Sequence, residues 1–181
     1  MRYQVIPRNL IFVFCKNQVL LLKGSPKKRF FPNYYNGIGG HIERGETIHE
    51  SARRELLEES GIRMEALYLC GVLHVDEKET CGIQVSIFKA FLDQKPDFLS
   101  ESDEGSLHWI PVDQVGQLDV VPDIPCYFPR IRSWMPGDAL FFACSWSDQD
   151  GFMHVRIDHQ PEVIVPCDSH TDRVTGENEK L

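Results

Sequence analysis

GHIERGETIHESARRELLEESGI, residues 40–62, decides how the rest of the chain is read. Thr47 followed three residues later by Glu50 is a capping box, and Gly61 before Ile62 is a stop signal, so the spacing predicts a helix over 47–60. Ile48, Ala52 and Leu56 recur at helical intervals and form an apolar stripe that fixes the helix against a sheet. Beside that stripe Glu55, Glu58 and Glu59 fall at i, i+3 and i+4, which puts three carboxylates on one side. Like charges at this spacing destabilise a helix unless something compensates them. A hard divalent cation such as magnesium would do so, and it keeps open positions for water and phosphate oxygens. Arg54 is placed to pair with a carboxylate through two parallel hydrogen bonds, with Glu46 in the preceding loop as a partner. An isolated E-x-x-E-E is more often a solvated acidic face, so the pattern gains meaning only from its surroundings.

Upstream, Leu10 to Phe14 and Val19 to Leu22 are β-prone apolar runs separated by Lys16-Asn17, which reads as a hairpin. A basic, aromatic loop follows, KGSPKKRFFPNYY from Lys23 to Tyr35, and leads into the glycine-rich stretch 37–40. Downstream, 66–75, 83–92 and 107–111 read as strands and 112–118 as a helical turn. A short helix is expected near 127–134, with ends blurred by Pro125 and Pro129. The runs 139–146 and 152–157 flank Asp150-Gly151, a second hairpin signal. Strands with one long helix and one or two short ones predict a single α/β domain over residues 1–160. Residues 161–181 are expected as a flexible tail, because from Asp168 onward the sequence has almost no large apolar residues to offset the entropy of ordering.

With 181 residues and 42% of them hydrophobic, the chain is long enough to bury one sizeable core. Its formal charge of −8, from 27 acidic and 19 basic residues, argues against a nucleic-acid polymer or an anionic membrane as partner. No apolar run approaches the roughly 18 residues that span a bilayer, and nothing near Met1 has the form of a secretion signal. The six cysteines are scattered without a C-x-x-C pair and read as reduced thiols. These features together predict a soluble, cytoplasmic protein. His41, His49, His74 and His108 have no zinc-like spacing and read as structural or surface residues.

The stretch 40–62 resembles the Nudix box, G-x5-E-x7-R-E-U-x-E-E-x-G-U with U aliphatic. Every fixed place is matched, by Gly40, Glu46, Arg54, Glu55, Leu56, Glu58, Glu59, Gly61 and Ile62. At ordinary residue usage such a match arises by chance at roughly one in 10⁹ per starting point. The resemblance implies an α/β/α sandwich around a mixed sheet and a magnesium-dependent hydrolase, with manganese as a substitute metal. It implies Glu55, Glu58 and Glu59 as metal ligands together with the Gly39 carbonyl, and Arg54, Glu58 and Glu59 as catalytic residues. Glu104 is the rival of Glu59 for the role of general base and a further metal ligand. The chemistry implied is attack of water on a phosphorus of a diphosphate bridge.

Outside the box the chain is similar to the oxidised-purine nucleoside triphosphate hydrolases of that family. It shares an Asn-Gly-x-Gly-Gly entry at 36–40, an acidic ESDE at 101–104 with Trp109 five residues on, and a Pro-Asp pair at 122–123 followed by Tyr127, Phe128 and Pro129. The similarity implies base contacts from Asn36, Asp123 and Phe30 or Phe31; separately, the basic patch of Lys23, Lys27, Lys28 and Arg29, interleaved with aromatics, reads as a phosphate-and-base clamp at the mouth of the site. The similarity also implies a nucleotide as small-molecule partner of a monomer or homodimer. Two departures stand out: Val121 takes the place of a base-stacking tryptophan and Ile124 that of a second base-reading aspartate. Loss of a stacking surface costs about 1–3 kcal/mol of base affinity. Plainer roles remain open for several of these residues. Asn36 suits a turn before Gly37, Asp123 suits a helix cap, Glu104 suits a solvated acidic loop and the lysines suit a surface loop.

Overall fold

The computed structural model describes residues 2–78, 80–100 and 103–167. Strand β1 (Gln4–Cys15) is buried on both faces from Asn9 to Cys15. Leu10, Phe12 and Phe14 point to one core while Ile11 and Val13 point to the other, which is why its sequence runs apolar instead of alternating. The chain turns at Lys16-Asn17, with Lys16 at φ 54°, into β2 (Gln18–Gly24), antiparallel to β1. Beyond its pairing with β1, β2 takes up β3 (Tyr35–Asn36), and along its full length it pairs with β6 (Gly105–Pro111). On the far side of β1 lies β5 (Cys81–Leu92), parallel in unbroken register from Gln4↔Cys81 to Cys15↔Leu92. Next come β4 (Tyr68–Lys78), β7 (Phe141–Ser147) and β8 (Phe152–Ile157), with β4 and β7 parallel. Among the described residues the strands make one mixed nine-stranded sheet.

Helices cover the two faces. Helix α1 (Ile48–Ser60) buries Ala52 and Leu56 in one core with Ile11, Val13, Leu20 and Phe88. The predicted caps are formed: Thr47 Oγ1 accepts from the Glu50 amide, Glu50 accepts from the Thr47 amide, and Gly61 closes the helix at φ 74°. Helix α2 (Ile124–Ser133) buries Ile124, Tyr127, Phe128 and Ile131 on the opposite face, with Phe128 stacked 6.2 Å from Phe14. The expected α/β/α arrangement around a mixed sheet is therefore what the chain adopts. No helix among the described residues is long and apolar enough to cross a membrane.

Helix α2 begins three residues before the expected start. Pro125 lies in the first turn, where an amide needs no helical partner, so the proline that blurred the boundary is the one that opens the helix. At the other end no glycine is needed. The Lys89 side chain, only 2% exposed, donates to the carbonyls of Arg132 (2.8 Å) and Trp134 (2.7 Å), satisfying acceptors at the helix end. Phe14 and Phe91 flank this ammonium at 4.7 and 5.0 Å from their ring centres.

The sheet also extends past residue 160. Strand β9 (Val163–Pro166) pairs antiparallel with β8, and the Cys167 amide donates to the Gly151 carbonyl. It is short and bracketed by Pro161 and Pro166, a composition that hides a strand in the sequence but is tolerated at a sheet edge. Residues 168–181, the rest of the expected tail, lie outside the described residues.

Candidate active site

The loop before α1 is shaped by close approach. The space that a Cβ would occupy at Gly39 is filled by the Asn9 backbone, and the equivalent space at Gly40 is filled by the Glu55 carboxylate. Asn9, itself buried, donates to Ser51 Oγ at 2.7 Å, and Ser51 donates to the His41 carbonyl, so β1, this loop and α1 are tied together. The helix therefore has one fixed rotation relative to the sheet edge, and its glutamates have fixed addresses.

Those addresses differ more than the spacing suggests. Arg54 collects three carboxylates. Its Nε and Nη2 donate to the two oxygens of Glu46 at 3.2 and 2.8 Å, and its Nη1 donates to Glu55 (2.8 Å) and Glu58 (3.2 Å). Nη2 also reaches the His41 carbonyl at 3.0 Å. The guanidinium holds the Glu46 carboxyl down at about 2, chiefly through these hydrogen bonds. Glu59 turns the other way, inward. It is 6% exposed and accepts from the Gly39 amide at 3.3 Å. Burial above all, with the neighbouring charges of Glu104 and Glu55, pushes its carboxyl up to about 7. The Gly39 group seen engaged is thus its N–H, toward Glu59. Glu58 is largely exposed, and Glu55 is mostly buried.

Glu104 comes from the loop before β6 and makes an ion pair with Lys28 at 2.6 Å. The Ser25 amide donates to the Glu104 carbonyl at 2.8 Å, which stitches this loop to the one between β2 and β3. Between them opens a cleft of about 920 Å³ lined by Lys23, Ser25, Lys27, Lys28, Glu104 and Ser106 among others. Among the described residues no three metal-binding side chains are drawn together into a formed cation cage. The reason is visible: Arg54 holds Glu55 and Glu58, and Lys28 holds Glu104. The charges of Glu55 and Glu104 nevertheless act on the buried Glu59, and carboxylate oxygens are the hard donors that a divalent cation prefers.

The residues expected around a base are more dispersed. Asn36 Oδ1 accepts from the Gly37 amide at 2.8 Å, the local turn its sequence suggested. Phe30 is 60% exposed and stacks on Arg29, whereas Phe31 packs against the core and meets Tyr34 edge-on. Lys23 lies over the Tyr35 ring at 5.5 Å and borders the cleft. Asp123 is buried and its side chain makes no helix cap. Instead Tyr127 and Ser145 donate to its two oxygens at 3.4 and 3.3 Å, and burial raises its carboxyl to about 6. The Tyr35–Val121 backbone pairing brings the 120–123 segment alongside Asn36. Ile124 is fully buried in the α2 core and Val121 packs against it. Glu101, the first residue of ESDE, lies outside the described residues. Asn9 and Ser145 carry no sequence signal of their own, and although Lys28 belongs to the basic loop, its pairing with Glu104 arises, like their roles, from contacts between distant segments.

The profile of the NUDIX domain matches residues 7–131. The chain is a member of the Nudix family. It is 36% identical over 123 residues to the oxidized purine nucleoside triphosphate hydrolase of Mus musculus, covering 67% of this chain and 76% of that protein. The Danio rerio protein of the same name is also 36% identical, over 66% of this chain and 75% of its own length. Among solved structures the Nudix fold seen here is similar to the MutT protein of Bacillus halodurans, with TM-score 0.72, 25% identity, and coverage of 87% of this chain and 100% of that one. The Nudix domain of Shewanella oneidensis NrtR, solved with ADP ribose, shares the fold with TM-score 0.59 at 14% identity, over 73% of this chain and 88% of that one. This Nudix protein is accordingly an enzyme of the hydrolase class.

Proposed function

We propose that this chain hydrolyses a nucleoside triphosphate, with purine deoxynucleotides or their oxidised forms favoured, to the monophosphate and pyrophosphate. The observation that carries the reading is the placement of Glu59: a carboxylate 6% exposed, accepting from the Gly39 amide at 3.3 Å, on a helix whose Glu55 and Glu58 are held by Arg54. A carboxylate so held can accept a proton from water. The relatives named for oxidized purine nucleoside triphosphates support the substrate class.

Glu59, Glu55 and Glu104, with Glu58 and the Gly39 carbonyl as further donors, would hold magnesium, or manganese in its place. When bound, the metal lowers the pKa of water, polarises phosphoryl oxygens and offsets charge on the leaving phosphate. The chain's own residues do the rest. Arg54 orients Glu55 and Glu58, Glu59 removes the proton with Glu104 as its rival, and Lys23 faces the phosphates. Asn36, Phe31 and Asp123 form the base-facing side, with Phe30 at its rim. The enzyme acts as a monomer or homodimer on a small nucleotide, without a nucleic-acid polymer or membrane as partner. Cysteines scattered without a paired spacing fit a reducing, cytoplasmic setting.

Turnover of a panel of normal and oxidised nucleotides with magnesium, scoring whether phosphate or pyrophosphate leaves, is the test. Release of pyrophosphate from triphosphates is expected. Activity confined to ADP-ribose or dinucleoside polyphosphates overturns it. That outcome is the second reading, an X-linked diphosphate substrate, and it is favoured by Val121 and by the burial of Ile124, which leave the base side with less to stack on and less to read.

A further inference from the structure

The Lys28 ammonium lies 2.6 Å from the Glu104 carboxylate, and both side chains line the same cleft. A single lysine thus balances the loop carboxylate that faces the cleft. Its surroundings let it leave. The side chain is 34% exposed, and its stem runs past Gly24, where a Cβ would come within 3.3 Å of Lys28 Cδ. The backbone turn that carries it is fixed independently, by the Lys28 amide on the Ser25 carbonyl and the Ser25 amide on the Glu104 carbonyl. Lys28 and Glu104 line the same cleft as Lys23, Lys27, Ser25 and Ser106, so rotation about side-chain bonds alone can turn the ammonium from Glu104 toward an anion held there.

We infer that Lys28 is an exchangeable counter-cation of the site, pairing with Glu104 until a divalent metal takes that carboxylate and then swinging across the cleft to hold a phosphate oxygen of the substrate. The inference rests on the metal reading given above. Its physical basis is that an ammonium and a dication competing for the Glu104 carboxylate repel each other, so occupancy by one disfavours the other. An ammonium is a compact point charge with three rotatable donors, able to exchange a carboxylate for a phosphate without a change of backbone. Metal loading and phosphate binding then become linked: the metal creates the free cation that the phosphate needs, and by reciprocity phosphate tightens the metal.

Calorimetric titration of the full chain with Mn²⁺, without nucleotide, tests the first half. Lys28→Met keeps the stem and removes the charge; it is expected to bind Mn²⁺ about fivefold tighter than the wild type, the scale of one partly exposed ion pair. Lys28→Arg is expected to stay within about twofold of the wild type, since it keeps the competing charge. The second half is read with inorganic tripolyphosphate on Mn²⁺-loaded protein, where Lys28→Met is expected to lose about fivefold in affinity. Equal or weaker Mn²⁺ binding by Lys28→Met overturns the exchange. Tighter Mn²⁺ binding with unchanged tripolyphosphate affinity overturns the hand-over to phosphate. Failure of the wild type to bind Mn²⁺ at all overturns the metal assignment beneath it as well.

Discussion

Arg54 grips Glu46 with both edges of its guanidinium fork, Nε on one carboxylate oxygen and Nη2 on the other. Loop and helix are joined at this point, and the same guanidinium still spares Nη1 for Glu55 and Glu58. Lysine has one point charge and no fork, so Arg54→Lys is expected to lose the loop's register while keeping its charge. Turnover should fall by about 10- to 100-fold, in the range caused by small misplacements of catalytic groups. A steady-state rate within twofold of the wild type would refute that role.

The same pair makes stability acid-sensitive. Glu46 titrates at about 2 when folded and near 4.5 otherwise. Its contribution is present above 4.5 and disappears as pH falls through 2. Because the pair is only partly buried, the effect is expected to be about 1 kcal/mol, screened by salt. Urea unfolding of wild type and Glu46→Gln between pH 2 and 6 should show the two curves converging at the acid end.

Glu59 has the opposite sign. Its carboxyl is raised to about 7, so the folded state keeps a proton that the unfolded chain releases near 4.5, and stability declines as pH climbs across that interval. Glu59→Gln removes the buried charge. In the presence of a chelator it should melt higher than the wild type at pH 8, by an amount on the order of 1–3 kcal/mol, with no advantage at pH 4. Its turnover should nevertheless be lost at every pH. Retained activity would remove Glu59 from the mechanism.

Leu56 is fully buried between the helix and the sheet. Leu56→Ala should cost about 2–5 kcal/mol by cavity formation. Since this residue lies between Glu55 and Glu58 on the same turn, kcat of the still-folded fraction should drop too, measured below the unfolding transition.

His154 on β8 lies between Asp148 (2.9 Å) and Glu162 (2.7 Å) and stacks on Trp146. The two carboxylates, Glu162 first, raise its pKa, and Asp148 is lowered in return. The bridge is complete below about 6.5, the unfolded value for histidine, and fails as pH rises through the higher folded one. Amide exchange at Ile164 and Val165, corrected for its intrinsic pH dependence, should therefore accelerate in alkali, and His154→Gln should show the fast rate throughout.

Helix α1, its caps and the glutamate positions were legible because they depend on residues within a few positions of one another. The two hairpins were legible for the same reason. Strand β9 was not, since Val163–Pro166 becomes a strand only through β8. The end of α2 was hidden because its carbonyls are satisfied by Lys89, some forty residues earlier and on another strand. At the site, glutamate identities were readable but their orientations were not. Which carboxylate faces Arg54, which faces Gly39 and which meets Lys28 is decided where three loops and a helix converge.

At Gly40 the requirement is for absence of volume. The residue does not adopt a positive φ, so other amino acids suit its backbone, yet the carboxylate of Glu55 occupies the place of its missing methyl. An alanine there would make the Glu55 carboxylate shift, and would do so without bending the chain. The glycine that begins the signature is thus a recess for a side chain fifteen positions later, and filling it moves that carboxylate while leaving the backbone in place.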